Sequence, residues 1–260
     1  MNFSDNLFFK ADSFAQKIRC ELGLGNKPVE DIFSLLLKED ILLVKLPIME
    51  GKLSGCFSYD ERTGDSWIMI NTSHTKGRQK FTAAHEYCHF LRDKNRAFIV
   101  CEEMDLQRKP IHEKFADQFA ASFLLPGEGV RALLPAEHGP IAQEDVVNLC
   151  LEFGTSYTAT LWRLFSLGLV SDMEREKLRI ASSVSIAEEL GVKRDDQNNP
   201  FVPSIEDNIF TRFPHRYTVL AVTLFKRGLI SRGKLAEYLE IDRDRLTECL
   251  DKYSREVTVE

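Results

Sequence analysis

The residues best suited to chemistry form one short run, HEYCH, at positions 85–89. His85 and His89 lie four residues apart, so on a helix their imidazoles project from one face, about 6 Å apart, and can share one ion. Zinc binds imidazole nitrogen, and a catalytic zinc site needs three protein ligands and an open position for water. Glu86 can face that water as a general base. The run therefore predicts a hydrolytic metal site that lacks one ligand.

Two carboxylates on the next predicted helix, residues 111–125, are candidates for completing this site. Glu113 and Asp117 lie four residues apart there. The Glu could supply the third ligand, and the Asp could bind the second ring nitrogen of a ligand His. The alternative interpretation makes the two His ordinary helix residues and Glu86 a solvated carboxylate. The downstream carboxylates favour the metal site.

The elements that would position these residues are short helices and strands, followed by a longer helical part. Apolar residues at helical spacing predict a helix over 8–22, a second after Pro28, and a third over 76–91 that carries the HEYCH run. Strands are predicted at 41–46, 53–59 and 67–70. The predicted fold class is therefore α+β.

Beyond Pro140 the sequence predicts helices only. Helices over 143–153 and 157–167 flank a three-residue break, the arrangement of a helix-turn-helix. A polar stretch, 193–208, separates them from a last helical set whose final two helices have similar spacing. Arg163 is the only basic residue of the second helix, and acidic residues alternate with basic ones near the C-terminus. Direct binding to nucleic acid is therefore not expected.

The metal run and the segment after it resemble a known family. HEYCH, followed by EKFADQFAASFLLP at 113–126, is similar to the ImmA/IrrE family of zinc metallopeptidases, in which an HExxH helix precedes a second helix of this pattern. The similarity extends over about residues 12–169 and fades from Asp172. Two positions depart from the family pattern: Cys88 stands where a smaller residue is common, and Phe115 where a further acid is common.

The resemblance implies a small zincin-like metallopeptidase domain over 1–140, a helix-turn-helix-like segment over 141–180 and a C-terminal helical region of unknown role over 181–260. It implies that Glu86 is the base, that Asp117 orients a ligand His, and that the metal ligands are His85, His89 and Glu113. Members of the family typically cut a helix-turn-helix repressor and so derepress stress-response or mobile-element genes. The expected cofactor is Zn²⁺, although imidazole and carboxylate ligands also admit Mn²⁺.

Three other residues are weaker candidates for contact with the substrate or the transition state. His112 neighbours Glu113, while His138 and Tyr157 follow the metal motif and could donate to an oxyanion. Cys88 points away from both His on the helix, so we expect it to be a core residue rather than a ligand.

Composition restricts the class of protein. The chain has 260 residues, of which 43% are hydrophobic and 28% charged, with a net charge of -6, so it is globular and has no overall basic field. Neither a signal peptide nor a long apolar run is visible, and the six cysteines have no close pair, so we expect a soluble cytoplasmic protein with reduced thiols. Two rival functions stay open: a non-proteolytic module that binds a repressor or toxin partner, and direct transcriptional regulation.

Overall fold

A computed structural model describes residues 3–49, 52–102, 109–134, 139–179, 182–196, 198–203, 212–243, 245–246 and 250. The N-terminal part is mixed, and the remainder is helical, which confirms the predicted α+β class. The helices before Pro140 are α1 (Phe3–Glu21), α2 (Ile32–Lys38), α3 (Lys76–Arg92), α4 (Ile111–Leu124) and α5 (Gly127–Leu133). The later helices are α6 (Gln143–Phe153), α7 (Tyr157–Ser166), α8 (Asp172–Leu178), α9 (Ser183–Glu189), α10 (His215–Lys226) and α11 (Arg232–Tyr238). No helix within the described ranges is long and apolar enough to cross a bilayer.

One four-stranded sheet lies against the helices of the N-terminal part. Its strands are β1 (Leu42–Leu46), β2 (Leu53–Tyr59), β3 (Ser66–Asn71) and β4 (Phe98–Glu102). Their spatial order is β1-β3-β2-β4; β1 runs parallel to β3, and the other two pairings are antiparallel. The sequence analysis found the first three strands and missed β4. This omission matters because β4, an edge strand, borders the site described below.

The first core cluster fills the space between the sheet and α1, α3 and α4. The predicted phenylalanine stripe of α4 lies in it, with Phe119 and Phe123 fully buried and stacked with ring centroids 5.4 Å apart. Tyr87 and Cys88 of α3 pack into the same cluster. Because these apolar residues cover one side of α3, the two histidines of the HEYCH run lie toward the sheet edge and the start of α4.

A second core cluster is formed by α5 to α9, and a third by α10 and α11. The sequence predicts the polar stretch after α9 only as a separator between helical sets. In the structure it contacts the start of α3, the helix that carries the HEYCH run. The carbonyls of Pro200 and Val202 accept hydrogen bonds from the backbone N–H groups of Gly77 and Lys76, both 2.9 Å long. These two donors open α3 and have no partner within the helix, so this contact caps the helix that carries the motif.

Candidate functional site

Helix α3 carries both histidines on one face, one turn apart. His85 and His89 are 4% and 0% exposed, and their Nε2 atoms are 3.1 Å apart. The start of the helix is held against the chain near α7, because a Cβ at Gly77 would lie 2.6 Å from backbone atoms of Thr155 and Ser156. Only glycine permits this approach, which fixes where α3 begins and hence where its histidines lie.

Helix α4 brings a carboxylate between the two imidazoles. Glu113 lies in its first turn and is buried, with Oε2 3.2 Å from His85 Nε2 and Oε1 3.2 Å from His89 Nε2. Burial opposes ionisation of Glu113, but the hydrogen bonds with both histidines prevail and hold the pKa of its carboxyl far below the usual range.

The outward-facing ring nitrogens are each bound by an aspartate. Asp117 Oδ1 lies 3.0 Å from His85 Nδ1, and Asp93 Oδ2 lies 2.8 Å from His89 Nδ1. Asp117 is itself held by Lys109, whose Nζ donates to Oδ2 at 2.6 Å. The sequence predicted a contact of this kind for Asp117; it missed Asp93, although the i,i+4 spacing from His89 was visible. An aspartate accepts the Nδ1 proton and so leaves the Nε2 lone pair facing inward.

A fourth donor comes from the edge strand. Cys101 Sγ lies 3.4 Å from His85 Nε2 and 3.9 Å from Glu113 Oε1. One ligand atom from each of His85, His89, Cys101 and Glu113 lies within 4.8 Å of the others, and all four residues are buried. The sequence analysis missed Cys101 because it missed β4. The signal was the alternation of FIVCE, in which Ile99 and Cys101 point inward and their neighbours outward.

The chemistry of this donor set fits a metal ion. Because each Nδ1–H donates a hydrogen bond to an aspartate, both Nε2 lone pairs point inward. These lone pairs and the two oxygens of Glu113 lie 3.1–3.2 Å from one another. Such acceptor atoms repel each other unless a cation or protons lie among them. Four donors held tetrahedrally around zinc at its usual bond lengths lie about 3.3–3.6 Å apart. Negative neighbours outweigh the effect of burial and raise the pKa of His85 well above its usual value, as expected of a site shaped for positive charge.

Glu86, the second residue of the run, is fully buried in α3. Neither of its carboxylate oxygens has a nitrogen or oxygen donor among the described residues, although the thiol of Cys101, a weak donor, lies near enough to hydrogen-bond to this carboxyl and lower its pKa. A Cβ at Gly55 of β2 would lie 2.8 Å from Glu86 Oε1, so the absence of a side chain there makes room for this carboxylate. Burial raises the pKa of Glu86, and the two histidines offset this only in part. A buried carboxylate without partners costs stability, which is typical of a group kept for chemistry.

The other candidate residues lie in different surroundings. His112 Nε2 is 3.5 Å from Glu113 Oε1, and its ring borders a cavity of about 240 Å³ beside β4. The Tyr157 hydroxyl donates to the Leu178 carbonyl inside the second core cluster. The helix that carries the HEYCH run packs into the first core cluster instead, so Tyr157 is a packing residue of a different core. His138 lies outside the described residues. Cys88 is fully buried in the first core cluster, as expected.

A larger cavity, about 1040 Å³, lies elsewhere, between the chain before α2 and helix α6. Lys80, Asp145 and Glu152 are among its lining residues, and none of the four clustered donors is. The donor geometry, rather than cavity size, therefore identifies the functional site.

The fold and the donor cluster define an α+β domain of zincin type with a candidate metal centre. Residues 38–165 match the Peptidase_M78 family model, described as the IrrE N-terminal-like domain. This match covers the HEYCH run and the following helix, and it confirms the family resemblance that these two segments carry. No curated protein matches the chain.

Proposed function

We propose that the protein is a zinc-dependent endopeptidase in which His85, His89 and Glu113 hold the metal and Glu86 is the general base. The observation that carries this proposal is the pair of buried, unpartnered oxygens of Glu86 beside inward-facing histidine and glutamate donors. Structural carboxylates at such depth are normally hydrogen-bonded. A carboxylate left free beside a metal site is suited to proton transfer.

Bound zinc would supply Lewis acidity, polarising the scissile carbonyl and lowering the pKa of water. Glu86 would accept a proton from the attacking water and then donate it to the leaving amine, and the raised pKa of its carboxyl favours the first of these transfers. Asp117 and Asp93 would hold the imidazoles in the tautomer that presents Nε2. His112, at the rim of the site, is the candidate donor to the developing oxyanion.

The substrate would be one protein, held in an extended conformation. Strand β4 pairs only with β2 among the described strands, so its outer edge can accept a peptide as an added strand. Phe98 and Val100 on this strand are 62% and 46% exposed and border the small cavity beside His112. From the family resemblance we propose that the substrate is a helix-turn-helix repressor, cut in the cytoplasm to derepress stress-response or mobile-element genes.

A second candidate function is a non-proteolytic regulatory module that binds a repressor or toxin partner. The specific observation in its favour is Cys101, since zinc sites with four protein ligands are usually structural. Replacing Glu86 by Gln separates the two functions, because it removes the base and leaves every metal donor in place.

The test begins with the metal content of the purified protein beside His85→Ala and Glu113→Ala. We expect about one zinc per chain in the wild type and a loss of metal in both variants. Glu86→Gln should keep the metal and cut candidate repressors about 10²–10⁴-fold more slowly. No metal in the wild type after zinc is added back would refute the site, and full biological effect in Glu86→Gln would refute the peptidase.

A further inference from the structure

We propose that Cys101 is a fourth ligand of the metal and that the resting site is thereby closed, so that the peptidase is latent until the thiolate leaves the metal. The inference rests on the proposed function for the presence of a metal and adds its regulation. It concerns a residue outside both motif helices, which the HEYCH run and the following helix do not predict.

The sheet register fixes the position of Cys101. Cys101 pairs with Gly55 on β2, and both face α3. Gly55 leaves room for the Glu86 carboxylate, whereas Cys101 extends its thiol to the two donor helices. Two residues that pair across neighbouring strands therefore border the site: Gly55 beside Glu86 and Cys101 beside the donor cluster.

The distances fit coordination. A sulfur and a nitrogen bound tetrahedrally to one zinc lie about 3.6 Å apart, as do a sulfur and an oxygen. Cys101 Sγ lies 3.4 Å from His85 Nε2 and 3.9 Å from Glu113 Oε1. Both distances are close to this separation, and all four donor atoms lie within 4.8 Å of one another, so the thiol can join the other three donors on one ion.

A buried cysteine is most often a small core residue, and two other cysteines of this chain have the surroundings typical of that role. Cys88 is fully buried in the apolar cluster, and Cys150 donates to Thr160 Oγ1 at 3.2 Å within the second core. Neither belongs to the donor cluster. Cys101 differs because its sulfur faces an imidazole nitrogen and a carboxylate, both metal-binding groups.

Closure has a consequence for catalysis. A zinc site with four protein ligands offers no position for water, so Glu86 has no activated water from which to take a proton. Cys101 lies on the edge strand, which has one described neighbour, so moving it breaks fewer backbone hydrogen bonds than moving β2 or β3 would. Protonation of the thiolate by solvent would break the metal–sulfur bond, return Cys101 to a thiol and free one position for water, and this is the step that opens the site.

The experiment uses Co²⁺ as a spectroscopic substitute for zinc in the full-length protein. We expect the wild type to show the near-ultraviolet charge-transfer band of a cobalt–thiolate bond, Cys101→Ser to lose it, and Cys56→Ser to keep it. Cys56 is the matched control because it lies on β2 with its side chain on the opposite face from Gly55. Zinc X-ray absorption of the wild type, which needs no variant, should show one sulfur neighbour. Cleavage by Cys101→Ala should exceed that by the wild type.

Three outcomes would overturn the inference. A wild type that binds cobalt without the charge-transfer band, or zinc without a sulfur neighbour, refutes the ligand role of Cys101 and leaves the proposed function intact. A band that persists in Cys101→Ser assigns it to another thiol. A wild type that binds neither metal refutes the proposed function as well.

Discussion

Two helix pairs of this molecule bury polar side chains, and they do so in opposite ways. In the distal pair, α6 and α7, every buried side-chain nitrogen or oxygen has a protein partner. The hydroxyls of Thr155 and Thr160 form a hydrogen bond of 2.8 Å, and the Arg163 guanidinium donates hydrogen bonds to the Leu125 carbonyl and to the Asp12 carboxylate. In the site pair, α3 and α4, Glu86 has no nitrogen or oxygen donor among the described residues, and acceptor atoms face one another. Satisfied polar groups stabilise a fold, whereas an unsatisfied carboxylate beside clustered metal donors is typical of a functional site.

This contrast also changes the interpretation of the helix-turn-helix-like pair. Arg163, the only basic residue of α7, is 3% exposed and joins α7 to α1 and to the end of α4. Its guanidinium is used inside the fold and is not presented to a phosphate. This side chain therefore joins the distal pair to α1 and to the end of α4.

The largest expected effect on stability lies in the distal pair. Arg163→Leu should lower the free energy of unfolding by about 3 kcal/mol, because it leaves the Leu125 carbonyl without its buried side-chain donor and removes the cationic partner of Asp12, which keeps the Ser122 hydroxyl. Metal content should not change. Urea denaturation beside Arg179→Leu, an exposed control, measures the difference. If Arg163→Leu lost zinc without losing stability, the distal pair would contribute to the metal site rather than to the stability of the fold.

In the site pair, Gly55→Ala should impair both stability and cleavage. Its Cβ would lie 2.6 Å from Thr82 Cγ2, 2.8 Å from Glu86 Oε1 and 2.9 Å from the Met69 carbonyl oxygen. Overpacking of this kind costs about 1–3 kcal/mol, and here it would displace the base. Gly127→Ala is the control, because its Cβ meets a movable Leu167 methyl at 3.1 Å. Normal cleavage by Gly55→Ala would argue against a fixed position for Glu86.

The two aspartates behind the histidines test whether the site pair is built around a cation. Asp117→Asn and Asp93→Asn should each weaken zinc binding about 10–100-fold, because the imidazoles lose the contact that fixes their tautomer. Competition with a chromogenic chelator measures this affinity. Asp65→Asn is a suitable control, since Asp65 pairs with Arg216 on the surface. Equal zinc affinity in all three variants would remove the assigned role of both aspartates.

The smallest effect is a pH dependence of the stabilisation by zinc. The raised pKa of His85 means that its proton stabilises the metal-free protein fully below about pH 6.5, and that this contribution is lost as pH rises through the folded-state pKa. Zinc replaces this proton, so the gain in stability on adding zinc should grow with pH by about 1.4 kcal/mol per pH unit for each proton released. Thermal unfolding with and without chelator checks this. A gain independent of pH would be the contrary result.

Most helices could be predicted from the sequence, because their apolar residues recur at helical spacing. Phe119 and Phe123 lie in the core as their four-residue interval indicates. Short elements were missed: α5, α8 and α9 have seven residues each, and β4 has five. Segments of this length carry few periodic positions, so they are predicted only where apolar residues recur clearly, as in the seven-residue α2. Their stability comes largely from tertiary packing.

The sequence by itself determined the local part of the site. His85, Glu86 and His89 share one helix, and helical geometry alone places both imidazoles on one face. Only the tertiary structure decided which side chains from other elements meet them. Glu113 depends on how α4 crosses α3, and Cys101 on the pairing of β4 with β2. These contacts join residues across loops whose paths are set by the burial of the whole core, and no local pattern encodes that.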